Sequence, residues 1–135
     1  FTLMAQQFPK SATVHLFKGR CNLGLGNFYS ALYDFSVSLT LDNTLADTYL
    51  YKGQAHYRLD EFQQAFLEFD KAVWHTRSAN ADALRWRAVA RMAFNQLDQA
   101  RQDLEKAAAL GDENADFYLR TLFSSSGVRQ RRKDS

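Results

Sequence analysis

Residues 17–39 read FKGRCNLGLGNFYSALYDFSVSL, residues 51–73 read YKGQAHYRLDEFQQAFLEFDKAV, and residues 86–108 read WRAVARMAFNQLDQARQDLEKAA. Laid over one another, the three stretches are one pattern written three times. Gly19, Gly53 and Ala88 recur at spacings of 34 and 35 residues, and Ala31, Ala65 and Ala100 follow them by 12 each time. Four residues after each alanine stands Phe35, Phe69 or Leu104; seven after it stands Ser38, Ala72 or Ala107. A period near 34 with helical spacing marks a solenoid of helix pairs, in which each unit buries against its neighbours what it cannot bury alone.

Each repeat holds two amphipathic stretches, with a break seven residues after its Gly or Ala landmark, at Gly26, Asp60 and Asn95. These residue types suit a helix N-cap, and Asp60 is followed three residues later by Gln63, a relative of the capping box. The second breaks fall at Asp42-Asn43-Thr44, Ser78-Ala79-Asn80 and Gly111-Asp112. There Gly111 suits a C-cap, and Asn80 and Asn114 suit the next N-cap. The spacing predicts helices over 12–25, 28–41, 46–59, 62–76, 81–94, 97–110 and 115–124, and no strand. The surplus residue of the 35-residue spacing falls near His75–Asn80, where it should lengthen a helix or turn without disturbing the stacking of Gly53 and Ala88. A mid-helix glycine costs up to about 1 kcal/mol relative to alanine, so two of them at one repeat position imply a partner helix in close approach.

The pattern resembles the tetratricopeptide repeat, W-x2-L-G-x2-Y, then A-x3-F, then P. Gly19 and Gly53 match its glycine; Ala31-x3-Phe35 and Ala65-x3-Phe69 match its second half, and Ala100-x3-Leu104 nearly does. His15, Tyr49 and Leu84 stand for the tryptophan, Lys18, Lys52 and Arg87 for the leucine, and Asn22, His56 and Arg91 for the tyrosine. The closing proline is missing from the three repeats but occurs at Pro9, where an earlier repeat would end. The resemblance implies an all-α solenoid of antiparallel helix pairs forming a right-handed superhelix, with repeats at 11–44, 45–79 and 80–114. Residues 1–10 then read as the end of a truncated preceding repeat, with Phe1 and Met4 facing inward, 115–124 as a capping helix, and 125–135 as a basic tail. The chain opens without an initiator methionine, and the parent protein is expected to extend upstream.

The net charge of +2 is unevenly spread. Arg129, Arg131, Arg132 and Lys133 against Asp134 put the tail at +3, which leaves residues 1–128 at −1. The run RQRRK could serve as a nuclear address, a contact for an acidic surface or a nucleic-acid tether; after Ser124-Ser125-Ser126-Gly127 it reads more simply as a solvated end. No apolar run is long enough to span a bilayer, and no signal peptide is visible. The single cysteine, Cys21, excludes an internal disulfide and is expected to be a buried bystander. His15, His56 and His75 do not cluster, no Gly-rich loop joins a strand to a helix, and no nucleophile stands beside a base. No enzyme activity, cofactor, metal, small-molecule substrate or nucleic-acid partner is therefore expected. The cytoplasm is the favoured compartment.

By the resemblance, the first helices of successive repeats line a concave face that binds a partner's segment. Two residues before each landmark stand Phe17, Tyr51 and Trp86, aromatic in every repeat. Three before stand Leu16, Leu50 and Arg85, one after Arg20, Gln54 and Val89, and four after Leu23, Tyr57 and Met92; these offsets share one broad helix face. Arg120 of the capping helix would join them. Large aromatics with arginine are the usual material of binding hot spots. The alternative is that the aromatics pack on neighbouring helices as a ladder. Co-chaperones of this kind grip acidic chaperone tails with lysine, asparagine and arginine on three first helices. The matching places here hold Leu16 and Arg20, then Tyr51, then Asp82 and Trp86, so that carboxylate clamp is not expected. The expected function is a protein–protein interaction module, an adaptor or scaffold, whose partner segment is apolar or aromatic with some acidic residues. The rivals are self-association or an assembly subunit, and a regulatory or targeting domain of a larger enzyme.

Overall fold

The computed structural model describes residues 11–124. These form α1 (Ala12–Gly24), α2 (Phe28–Leu41), α3 (Ala46–Arg58), α4 (Phe62–His75), α5 (Ala81–Ala93), α6 (Leu97–Ala109) and α7 (Glu113–Tyr118). A π-helical segment, Leu119–Ser124, continues α7, and no strand occurs among the described residues. Each odd helix packs on the even helix that follows, and each even helix on the next odd one, so the pairs stack in chain order. The first six helices begin where the periodicity places them. The seventh starts two residues earlier than expected and changes to π geometry halfway. The expectations for residues 1–10 and for the basic tail lie outside the described residues. No described helix is long and apolar enough to cross a membrane.

The helix ends correct the sequence reading. Gly26, Asp60 and Asn95 are not N-caps: with φ of 83°, 61° and 60° they are left-handed residues that close the first helix of each pair. The amide after each reaches back to the carbonyl five residues earlier: Asn27 to Asn22 (2.8 Å), Glu61 to His56 and Gln96 to Arg91 (both 2.9 Å). Reversing the chain within so short a link needs a left-handed residue, a conformation that Gly, Asp and Asn tolerate best. The true N-caps Asn27, Glu61 and Gln96 make no side-chain cap bond, so Asp60 and Gln63 form no capping box. Side-chain caps occur instead at the starts of α1, α5 and α7, but not of α3, whose N-cap is Leu45. Ser11 accepts from Val14 N–H and Asn80 from Ala83 N–H, while Asp112, rather than Asn114, caps α7 by accepting from Asn114 and Ala115. The surplus residue lengthens a turn: Thr76–Asn80 links α4 to α5 where Asp42–Leu45 links α2 to α3, and Arg77 and Ser78 absorb it at φ of 54° and 60°.

Inside each pair the landmark and the residue sixteen positions on are matched in size. A Cβ on Gly19 would lie 2.5 Å from Phe35, and one on Gly53 would lie 2.5 Å from Phe69. Neither ring can retreat, because both phenylalanines are fully buried. In the third pair Leu104 replaces the ring and Ala88 replaces the glycine, and both are fully buried as well. The narrower leucine leaves room for the methyl.

A second repeated feature is polar. Asp34, Glu68 and Asp103, each fifteen residues after its landmark, are buried. Lys18, Lys52 and Arg87, each one before its landmark, reach across the pair to them. In the first pair Lys18 stands 4.0 Å from Asp34, which accepts from Asn22 at 2.7 Å. In the second, Glu68 meets Lys52 at 3.9 Å and Lys71 at 3.4 Å; His56 turns to Glu61 (2.8 Å) and leaves Glu68 Oε2 without a hydrogen bond. In the third, Arg87 holds Asp103 through Nε and Nη2 at 3.0 and 2.7 Å, Arg91 adds a contact at 3.2 Å, and Arg87 Nη1 reaches back to Asp70 at 2.9 Å. Burial works to lower the Arg87 pKa, but the bonds and charges of Asp103 and Asp70 outweigh it and push it up. The basic residues that depart from the repeat consensus are thus half of an internal ion pair.

Candidate functional site

The residues two before each landmark sit six positions after the N-cap of their helix, and those of α3 and α5 lie on the face that meets the preceding pair. Tyr51 stacks on Phe35 with ring centroids 6.4 Å apart, and Trp86 lies over Phe69 at 5.6 Å. Each aromatic therefore rests on the buried ring of the repeat before it. Tyr51 and Trp86 are half-buried, so each joins its pair to the one before while staying partly in solvent; Phe17, with no described pair before it, is 37% exposed. The packing ladder and the open face are both present in the same residues.

Two clusters follow along the first helices. The Arg20 guanidinium lies 4.6 Å from the centre of the Tyr51 ring and 5.6 Å from that of Phe17, bridging α1 and α3. Tyr57 meets Trp86 edge-on at 5.9 Å and Phe62 at 5.2 Å, bridging α3, α4 and α5. Leu23 packs partly buried on the cluster of Leu16, Ala31, Phe35 and Ala55, and Met92 on the larger cluster around Phe69 and Leu104. Gln54 and Val89 are half-buried. The α3–α5 contact shows that the surplus residue in the turn leaves Tyr57 and Trp86 on adjacent first helices and facing each other.

Several expected groove residues are placed elsewhere. Leu16 and Leu50, 7% and 5% exposed, belong to the core, because three residues before the landmark the helix face turns inward against its partner. Arg85 is held by Asp112, the N-cap of α7, and by Asp82 at 3.0 Å, so it latches the capping helix to α5. Arg120 pairs with Asp116 at 3.1 Å and falls eight residues after Asp112, which is the landmark position, not the groove position. The groove position of α7 is Tyr118, six after the N-cap, and it packs partly buried on the core. A capping helix that starts at Ala115 places Arg120 in the groove; the observed start at Glu113 gives the place to Tyr118. Cys21 is exposed rather than buried. Its counterparts Ala55 and Ala90 are sealed by the preceding pair, and no described helix precedes α1. His75 stacks on Tyr49 at 4.9 Å, and no described group of His, Cys, Asp and Glu could hold a metal ion.

No protein-family model and no curated protein matches the sequence. Among solved structures the chain is similar to the first TPR of Spaghetti (RPAP3) bound to the HSP90 peptide SRMEEVD, with 24% identity, TM-score 0.80, and 87% of this chain and 94% of that one covered. It is similar to the Arabidopsis OM64 TPR domain at 22% identity and TM-score 0.80, covering 85% of this chain and 96% of that one. It is similar to MamA at 21% identity and TM-score 0.82, covering 96% and 76%. The fold is accordingly that of tetratricopeptide-repeat domains, an all-α solenoid of helix pairs.

Proposed function

We propose that this tetratricopeptide-type solenoid is an adaptor or scaffold module whose first-helix face binds a segment of a partner protein. The observation that carries the reading is the pair of clusters, Phe17–Arg20–Tyr51 with its arginine and the purely aromatic Tyr57–Trp86, each partly exposed and each bridging successive repeats. Rings fixed by packing lose little entropy on binding, and aromatics with arginine dominate the energetics of interfaces. The matching segment is apolar or aromatic and carries some acidic residues. A neighbouring structure holds an acidic chaperone peptide, but the equivalent places here are Leu16, Arg20, Tyr51, Asp82 and Trp86, of which Arg20 alone is a cation and Asp82 is a carboxylate. A clamp on a peptide carboxy-terminus is therefore not part of the proposal.

Trp86 is a poor probe of this site, because it also supports Phe69. The test is affinity capture on the immobilised chain, comparing wild type, Arg20→Glu and Arg101→Glu, with helicity checked by circular dichroism. Arg101 lies exposed on the second helix of its pair and serves as the outer control. Loss of a partner with Arg20→Glu alone supports the reading; equal retention by all three refutes it. Self-association is favoured separately by Leu110 and Phe117, both more than half exposed at the capping end. Light scattering that shows a concentration-dependent dimer lost in Phe117→Ser would establish it.

A further inference from the structure

The first-helix face carries three arginines in its candidate set, and the structure divides them. Arg85 is committed to Asp112 and Asp82, and Arg120 to Asp116. Arg20 has no carboxylate at ion-pair distance among the described residues; its contacts are the faces of Tyr51 and Phe17. A guanidinium held over ring faces spends none of its N–H donors on a carboxylate and keeps them for a bidentate one. The opposite end of the face is acidic. Asp82 lies one turn before Trp86 on the same side of α5, and Asp82, Asp112 and Glu113 line one recess of roughly 640 Å³ between the starts of α5 and α7. Asp82 and Asp112 share a single guanidinium, and Glu113 is exposed without an ion-pair partner among the described residues. Asp47 holds the Asp82 place on α3 and is exposed as well, so the face is cationic at Arg20, carries one acid at the edge of the second repeat, and gathers most of its acid at the cap.

On the reading of this face as a partner-binding groove, we infer that it accepts its segment in one direction only. The segment's acidic residue lies over Arg20, its apolar and aromatic residues lie over Tyr57 and Trp86, and no acid lies toward α7. The acid is bound at the first end by the open guanidinium of Arg20 and rejected at the far end by carboxylates. Such repulsion sets direction as effectively as attraction.

The test is selection from a phage-displayed library of random peptides on the full chain, followed by titration of the enriched peptides as synthetic compounds. Wild type should enrich peptides with an acid on one fixed side of an aromatic. Selection on Arg20→Gln should keep the aromatic and lose the acid, and wild-type peptides should bind that variant about tenfold more weakly. Arg20→Lys, which keeps the charge but not the plane, should fall between. The pair Asp82→Asn with Glu113→Gln should admit acids on the other side of the aromatic. Acid enrichment unchanged by Arg20→Gln, or acids on both sides in wild type, overturns the inference while leaving the groove in place. No enrichment at all, or peptides indifferent to Phe17→Ala and to Arg20→Gln alike, removes the groove and the direction with it. Arg101→Gln is the control that should bind like wild type.

Discussion

The first and third helix pairs occupy the same places in the repeat and solve the same two problems differently. Where the first pair sets a phenylalanine ring against a glycine, the third sets a leucine against an alanine. Where the first holds its buried aspartate with a lysine 4.0 Å away and one asparagine bond, the third holds it with a forked arginine, a second arginine and a tie to the preceding pair. The repeat thus conserves volumes and charges summed over a pair of positions, not the residue at either one. A substitution has to be judged with its partner.

The largest effect should separate the two ion pairs. Asp103→Ala leaves two largely buried arginines facing each other and should cost about 3–5 kcal/mol. Asp34→Ala leaves a lysine that is a third exposed and free to turn to water, at about 1–2 kcal/mol. Urea denaturation of the two variants measures both, and equal losses would erase the distinction. Next comes the size match. Gly53→Ala should destabilise by about 1–3 kcal/mol despite its better helix propensity, because the methyl meets a ring that cannot move. Phe69→Leu in the same chain should recover about 1 kcal/mol or more of that loss, since it recreates the third pair. Additive losses in the double variant would show that the two positions do not compensate. The reverse change, Ala88→Gly, should cost no more than about 1 kcal/mol, as propensity and a small void.

The smallest effect lies in the turns. Asp42 accepts from the hydroxyl of Thr44 and then from its backbone N–H, and these bonds hold its carboxyl below the ordinary aspartate value. A carboxyl whose pKa is depressed on folding adds stability above the unfolded-state value of about 4 and loses it as pH falls through the folded value. Thr44→Ala should move the Asp42 titration upward in carbon-detected NMR. An unmoved titration would mean that the turn is not held by these bonds.

Helix positions were legible because a period of 34 fixes every landmark three times over, and the small residues mark close approach by themselves. Helix ends were legible only by residue type. Gly, Asp and Asn suit both an N-cap and a left-handed stop, and a sequence does not say which side of the break a residue closes. The buried acids were within reach, since Lys18, Lys52 and Arg87 share one offset and Asp34, Glu68 and Asp103 another; reading the two columns together reveals the pairing. The fates of Arg85 and Tyr118 were not, because both depend on where α7 begins, and the expected start at residue 115 is two residues later than the one the Asp112 cap sets.

The seating of Tyr51 on Phe35 and of Trp86 on Phe69 also bears on how the molecule comes apart. Each of these contacts belongs to two repeats at once, so its energy is lost when either one melts. The array then behaves as a one-dimensional chain of coupled units, where opening spreads from the ends because an end unit breaks one junction and a central unit breaks two. The amides of α3 and α4, flanked on both sides by described pairs, should exchange with deuterium more slowly than those of α7, which among the described helices packs on α6.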